Sequence, residues 1–261
     1  MKPEAVFPKR TKAISITGSY CALMCKHCCG HYLKSMAGAN SIPAICKDTQ
    51  VRSVLLSGGC DENGEVPILK FKDEILALRK SGKRILAHTG LLNPKKAQKL
   101  RGLVDAVSFN FIGCCETINE VYGIRAGVDD FIESYLAIRK NVRIVPHITI
   151  GLRGGAIKDE ERALELLNSL GEKTIVINVF VPSPKTPYEG RNPPNISEAL
   201  CIVKKARDLF DRVYIGCMRP GGRYRQIFDT AIFESEMADR ITLPHPKVRI
   251  DGDVIDECCA L

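Results

Sequence analysis

Short apolar segments alternate with amphipathic segments along most of the chain. Apolar, β-branched runs predict buried strands, whereas apolar residues that recur every three or four positions predict helices. The predicted strands are 13–16, 51–56, 84–87, 104–111, 142–150, 174–181 and 213–215. The predicted helices are 26–37, 71–80, 129–140, 159–170 and 197–210, and another begins at Asn93-Pro94. Only the chain after Met218 lacks this alternation.

Strands separated by helices predict a parallel sheet built from right-handed β-α-β units. The number of these units predicts an α/β barrel, complete or partial. A doubly wound open sheet is the alternative, but the glycine-rich dinucleotide motif does not follow the first strand. We therefore expect a barrel over residues 1–217 and a C-terminal extension over 218–261 that closes the barrel mouth.

The composition of the chain indicates its cellular compartment and the kind of partner that it binds. The chain has 261 residues, 12 of them cysteines, and a net charge of +8. Its N-terminus lacks the apolar core of a signal peptide and no apolar run reaches membrane-spanning length, so we expect a reducing cytoplasm and no membrane. Disulfide bonds stay an alternative for some cysteine pairs, because intracellular proteins of hyperthermophiles do contain them. The positive charge indicates an acidic partner or only good solubility.

Three cysteines directly follow the first predicted strand. Cys21, Cys25 and Cys28 have the spacing Cys-x3-Cys-x2-Cys, which crowds their thiolates at one turn. Thiolates are the usual ligands of iron-sulfur clusters, and three of them leave one iron of a four-iron cluster open. A zinc site is one alternative, but the second pair of cysteine or histidine ligands that such a site needs does not appear. The other alternative is a helix that buries these cysteines as small apolar side chains along one face. Cys29 beside Cys28 leaves the third ligand ambiguous.

This cysteine motif resembles the signature of the radical S-adenosylmethionine (SAM) superfamily. The resemblance implies a partial (β/α)6-type TIM barrel and a [4Fe-4S] cluster bound by Cys21, Cys25 and Cys28. It also implies that SAM binds the open iron and is cleaved to a 5′-deoxyadenosyl radical, which abstracts a hydrogen atom from carbon.

Further motifs at the predicted strand ends match SAM-binding segments of the superfamily. Ser57-Gly58-Gly59 resembles the motif that binds the methionyl amine, although Cys60 stands where relatives often have glutamate. Asn110 is a candidate for the SAM carboxylate or ribose, with an ordinary turn asparagine as the alternative. The segment with Gly151 and Arg153 resembles the one that lies against adenine.

Two later segments narrow the resemblance. Residues 178–190 are similar to the segment after the sixth strand of biotin synthase, and 216–225 resemble archaeal biotin-synthase-related proteins, which include the two-protein lipoyl synthases. This resemblance implies sulfur insertion into an octanoyl chain on a lipoyl-carrier protein. The implied partners are that octanoylated carrier, a second radical SAM protein and an electron donor such as ferredoxin.

Sulfur insertion in these relatives draws on an auxiliary iron-sulfur cluster. Cys60, Cys115 and Cys217 follow predicted strands, and Cys258 could fold back from the tail, so we expect these four thiols at the barrel mouth. Cys114 is a nearly equal candidate ligand in place of Cys115, and Cys259 in place of Cys258. The alternative is that these cysteines are buried or unpaired thiols.

Other functions stay open. A biotin-synthase-like enzyme, a radical SAM enzyme that modifies RNA, and an iron-sulfur scaffold without SAM chemistry would share the cysteine motif. We do not expect nucleic acid as the partner, because aromatic residues make up only 6% of the chain and the basic residues are scattered.

Overall fold

A single parallel sheet organises the molecule. The computed structural model describes residues 2–249 and 254–261, and the strands within them form one 11-stranded sheet. The strands are β1 (Glu4–Val6), β2 (Thr11–Ser15), β3 (Ala37–Gly38), β4 (Ser53–Ser57), β5 (Arg84–His88), β6 (Ala106–Asn110), β7 (Arg143–Ile150), β8 (Thr174–Val179), β9 (Arg212–Ile215), β10 (Arg240–Thr242) and β11 (Val254–Ile255). Their order in the sheet is β11-β1-β10-β9-β8-β7-β6-β5-β4-β2-β3.

Helices connect most of these strands. They are α1 (Ile42–Lys47), α2 (Lys72–Lys80), α3 (Pro94–Gln98), α4 (Cys115–Thr117), α5 (Val128–Arg139), α6 (Glu160–Ser169), α7 (Ile196–Leu209) and α8 (Gly222–Glu234). Short 3-10 helices cover His31–Ser35, Ala39–Ser41 and Ile68–Phe71, and a π-helical turn covers Ile118–Tyr122. The Asn93 side chain accepts the Lys96 N–H at 2.9 Å, which caps α3 where the sequence predicts a helix start.

The two faces of the sheet carry two apolar clusters. Outward side chains such as Leu56, Val107 and Ile177 pack under the helices in the larger cluster. Inward side chains from eight strands, together with residues 258–261, form the smaller one. Successive residues of a strand point to opposite faces, so each strand from β4 to β9 contributes to both clusters.

The predicted fold class is confirmed. From β4 to β9 neighbouring strands follow chain order without a reversal, and every pairing is parallel. A doubly wound sheet would reverse its order at one point. The molecule is therefore a partial α/β barrel, with the carboxyl ends of the strands at one mouth.

The helix predicted over 26–37 is wrong. Cys29 and Gly30 have φ values of 42° and 69°, in the left-handed region that ends a right-handed helix. Cys28 and Cys29 both donate their N–H groups to the Cys25 carbonyl, at 3.0 and 2.9 Å, in a tight turn. The cysteine loop therefore continues into a short 3-10 helix and β3.

The described end of the C-terminal extension lies away from the barrel mouth, and closure of the mouth by the rest of this extension stays a prediction. The extension first continues the barrel with α8 and β10, and β1 pairs with both β10 and β11. The Cys258 N–H then donates to Thr11 Oγ1 at 2.9 Å, and Arg84 donates to Glu257 at 2.9 Å. Thr11 and Arg84 begin their strands, so the described end of the chain enters the barrel from the end opposite the mouth. Residues 250–253 of this extension lie outside the described residues.

Among the residues that the structure describes, no helix is long and apolar enough to cross a membrane.

Candidate functional site

A loop of thiols covers the carboxyl ends of β2 and β4. The chain leaves β2 with the Ile16 N–H donating to the Ser57 carbonyl at 2.9 Å, so the loop starts against the end of β4. The Ala22 N–H then donates to the Cys60 carbonyl at 2.8 Å. These two bonds hold the cysteine loop to the segment 57–60 at both ends.

The three thiols of this loop lie close to one another and to the Cys60 thiol of the segment 57–60. The Cys25 thiol is buried and donates a hydrogen bond to Cys28, which together with nearby His27 lowers the pKa of Cys28 to about 4. The pKa of Cys25 is raised by the same hydrogen bond and by burial, and further by the neighbouring thiols of Cys28, Cys21 and Cys60. Burial, followed by Cys21, raises the pKa of Cys60 to about 12. The site thus gathers the three thiols of the motif and adds Cys60.

Gly59 brings the two segments into direct contact. A Cβ atom at Gly59 would lie 2.0 Å from the Tyr20 carbonyl oxygen and 2.5 Å from Cys21 Cα. The Gly59 N–H donates to Thr17 Oγ1 at 2.7 Å, and a Cβ at Gly58 would lie 3.1 Å from the same oxygen. Only glycine leaves room for this approach of two backbones.

The π-helical turn forms a second layer behind the thiols, which the sequence did not indicate. The Lys26 N–H donates to the Val121 carbonyl at 2.9 Å, and the rings of His27 and Tyr122 lie 5.7 Å apart. Burial, followed by the Cys25 and Cys28 thiols, raises the pKa of Tyr122 well above its usual range. No local motif marks Tyr122, because the contact depends on the packing of two distant loops.

The predicted SAM-binding residues lie at the mouth on three strand ends. Ser57 ends β4, and the exposed Asn110 ends β6. Gly151 follows β7 with a φ of 74°, and its N–H donates to Glu160 at 2.6 Å. Arg153 is paired with Glu120, to which it donates at 2.7 and 2.9 Å. Their contacts with SAM stay a prediction, and for Arg153 the ion pair would have to open.

The four cysteines proposed for an auxiliary cluster do not meet at the mouth. Cys60 lies with the thiols of the motif. Cys115 is exposed at the start of α4, with its sulfur 3.8 Å from the position of a Cβ at Gly127. Cys258 lies inside the barrel, on the side of the strand starts, because Thr11 and Arg84 anchor the tail there. The expected gathering of these thiols at the mouth is therefore wrong for Cys258, and for Cys115 it stays a prediction.

Two thiols lie within the barrel, and a third follows β9 near them. Cys259 packs against Tyr214 and Val176 in the inner cluster, next to Cys258. Burial, followed by Cys259, raises the pKa of Cys217, and Cys217 also acts on Cys258. A hydrogen bond from Cys258 lowers the pKa of Cys259 to about 7. Cys258 and Cys259 are thus adjacent inside the barrel, and Cys217, exposed after β9, lies near enough to act electrostatically on both.

The arrangement of the thiols fits a cluster better than a single ion. Within residues 2–249 and 254–261, no three histidine, cysteine, aspartate or glutamate side chains converge as the ligands of one metal ion do. In a four-iron cluster each thiolate binds a different iron, so the sulfur atoms surround a larger body. Cys21, Cys25 and Cys28 on one tight loop, with a buried Cys25, fit such a group.

Solved structures share this fold. The chain is similar to a methylornithine synthase (PylB), with a TM-score of 0.65 and 14% identity over 98% of this chain and 76% of the other. It is also similar to anSMEcpe with bound AdoMet, with a TM-score of 0.51 and 14% identity over 92% of this chain and 64% of the other, less than two-thirds of that protein. No family model and no curated protein matches the chain.

Proposed function

We propose that the protein is a radical SAM enzyme that binds a [4Fe-4S] cluster through Cys21, Cys25 and Cys28. The observation that carries this proposal is the close packing of Gly59 against Cys21, which joins the thiol loop to the expected SAM-binding segment. The shared fold supports it, since one structural neighbour contains AdoMet. When bound, the cluster would supply the electron that cleaves the sulfonium of SAM.

The chain's own part is to position SAM and exclude water. Ser57, Gly58 and Gly59 would present backbone and hydroxyl groups to the methionyl end, and Asn110 would reach the carboxylate or ribose from β6. The barrel wall would enclose the radical and the substrate, which protects a reactive intermediate from solvent.

Cluster binding can be tested without turnover. Anaerobic reconstitution of the wild type should give a [4Fe-4S] electron paramagnetic resonance signal after reduction, and SAM should change that signal. A Cys28→Ala variant should lose the SAM-sensitive signal. Cys201→Ala is the matched control, because Cys201 is exposed on α7 and outside the site. A wild-type protein that binds no iron would contradict the proposal.

We further propose sulfur insertion into an octanoyl chain on a lipoyl-carrier protein. Cys217, Cys258 and Cys259 support this proposal. Cys258 and Cys259 lie inside the barrel, and Cys217, exposed after β9, acts electrostatically on both, so these three thiols are candidate ligands of an auxiliary iron-sulfur cluster that would serve as the sulfur source. The reaction would remove a hydrogen atom from the chain and form a carbon–sulfur bond. A second radical SAM protein would be the partner enzyme and a ferredoxin-like protein the electron donor.

The net charge of +8 favours an acidic carrier domain as the macromolecular partner. An octanoylated carrier should therefore stimulate 5′-deoxyadenosine formation, and the stimulation should weaken as salt shortens the Debye length below about 10 Å. Free octanoate should stimulate poorly, because it lacks the carrier surface. Stimulation by tRNA and not by the carrier would favour RNA modification, and iron binding without SAM cleavage would favour a scaffold.

A further inference from the structure

One section of the inner barrel wall is polar. His88 on β5 pairs with Ser108 on β6. His88 lies two residues after the inward-facing Leu86, and Ser108 lies two residues after the inward-facing Ala106. His147 follows the inward-facing Val145 on β7 in the same way. Residues two apart share a face of a strand, so His88, Ser108 and His147 all face the interior. Barrels are usually filled there by bulky branched side chains.

The Ser108 hydroxyl has no partner within the described part of the protein. The residue is only 4% exposed, and no hydrogen bond to its Oγ is formed there. A buried hydroxyl without a hydrogen bond costs free energy, and such groups are rare in folded proteins. A bound ligand group would supply the missing partner.

The two histidines beside it are neutral, and each has one ring nitrogen that makes no hydrogen bond to the residues that the structure describes. His147 Nδ1 lies 2.9 Å from the Val145 carbonyl oxygen, so this nitrogen donates and Nε2 is an acceptor. His88 Nδ1 lies 3.2 Å from Ser57 Oγ, and the two rings are 6.3 Å apart. Burial lowers the pKa of His88 to about 4 and that of His147 to about 3.

This polar section adjoins the expected SAM-binding residues. Ser57, which bonds His88, ends β4, and Asn110 pairs with His147 across β6 and β7. A substrate group held here would therefore lie next to the place where the proposed radical forms. Both histidines are half-buried residues of this inner wall.

We propose that His88, Ser108 and His147 form a pocket for a secondary amide of the substrate. The amide oxygen would accept from the Ser108 hydroxyl, and the amide N–H would donate to His147 Nε2. A neutral amide suits this wall because it both donates and accepts, and neutral histidines do not offset a charge. The inference rests on the proposed function, in which the amide that joins the octanoyl chain to lysine is such a group.

Binding of two peptides tests the pocket. One carries octanoyl-lysine and the other carries N-octyl-lysine, which has the same chain but a charged amine in place of the amide. The octanoyl peptide should shift the ring carbon signals of His88 and His147 in the ¹³C-histidine-labelled protein with SAM present. The N-octyl peptide should bind at least tenfold more weakly. Unchanged ring signals at saturation, equal affinity of the two peptides, or no binding of the octanoyl peptide would overturn the inference.

A pair of serine variants isolates the orphaned hydroxyl. Ser108→Ala should weaken octanoyl-peptide binding about three- to tenfold, the usual effect of one hydrogen bond. Ser53→Ala is the matched control, because Ser53 is buried on β4 and its hydroxyl is already bonded to Thr11 at 2.8 Å. If Ser108→Ala and the wild type bound the octanoyl peptide with equal affinity, the proposed role of the Ser108 hydroxyl in the pocket would be contradicted.

Octanoate distinguishes an amide site from a carboxylate site. Tight octanoate binding with protonation of either ring would overturn the amide assignment, because a carboxylate favours charged imidazolium. Peptide binding by a wild-type protein that cleaves no SAM would overturn the proposed function and leave this pocket standing.

Discussion

Gly59 lies so close to Cys21 that a Cβ atom on the glycine would be 2.6 Å from that of the cysteine. The segment expected to bind SAM and the loop expected to bind the cluster therefore share one packing contact. Any side chain at Gly59 has to displace the backbone of residues 20 and 21, which also carries the first ligand.

Gly59→Ala should separate these two segments. We expect a loss of about 1–3 kcal/mol in the free energy of unfolding, typical of forced overpacking, and a clear loss of iron after reconstitution. Gly221→Ala is the matched control, because a Cβ there meets nothing within 4 Å and φ is −84°. Urea denaturation and iron analysis check both variants. If Gly59→Ala had the unfolding free energy and the iron content of the wild type, the close contact between Gly59 and Cys21 would be contradicted.

The buried ion pair between Arg219 and Asp229 explains part of the distinctive 216–225 segment. Both side chains are 0% exposed, and Arg219 donates to Asp229 at 2.7 and 2.8 Å. Arg219 also donates to the carbonyls of Gly216 and Thr242, at 2.6 and 2.8 Å. This arginine therefore ties the end of β9 to the end of β10 and α8.

Asp229→Ala should cost about 3–5 kcal/mol of unfolding free energy, because it leaves a buried arginine charge unpaired. Lys205→Ala removes an exposed ion pair with Glu161 and should cost less than about 1 kcal/mol. Urea denaturation compares the two variants. Equal costs would show that Arg219 is not held by Asp229.

Stability should fall as the pH drops below about 6.5, the usual histidine pKa. The folded protein keeps His88 and His147 neutral because their pKa values are about 4 and 3, whereas the unfolded chain takes up protons at both. Proton uptake by the unfolded state favours unfolding, so the loss grows from pH 6.5 toward pH 4. Urea denaturation at pH 7 and pH 5 should show a smaller loss in a His88→Gln/His147→Gln variant. An identical loss in wild type and variant would refute this.

The inner thiols make a separate prediction about iron. If they bind an auxiliary cluster, the Cys21/Cys25/Cys28 triple alanine variant should retain iron and sulfide. In that background, Cys217→Ser or Cys258→Ser should lower both contents, and Cys201→Ser, exposed on α7, should not. Iron and sulfide analysis after anaerobic reconstitution checks this. A triple variant free of iron would count against an auxiliary cluster and against sulfur insertion.

Local patterns predicted the barrel but not its edges. The run Val142–Ile150 is apolar and β-branched, and it forms β7 within one residue of the predicted start. By contrast, β1 has only three residues, and its partners β10 and β11 lie far away in sequence. Such pairings depend on tertiary contacts that no local pattern records.

The site was predictable only where residue spacing carries the information. Cys21, Cys25 and Cys28 have a fixed spacing, so the loop could be identified. The path of the tail could not, because Cys258 reaches the barrel interior through bonds to Thr11 and through a turn that closes on Leu261. Spacing also could not predict that Ser108 lies between two histidines from neighbouring strands.

The central claim is that Cys21, Cys25 and Cys28 hold the cluster that cleaves SAM. The direct measurement is 5′-deoxyadenosine formed anaerobically from SAM and a reductant by the reconstituted wild type and by the triple alanine variant. We predict that the wild type forms it and that the folded variant, checked by circular dichroism, forms none. SAM cleavage by the variant at the wild-type rate would contradict the claim.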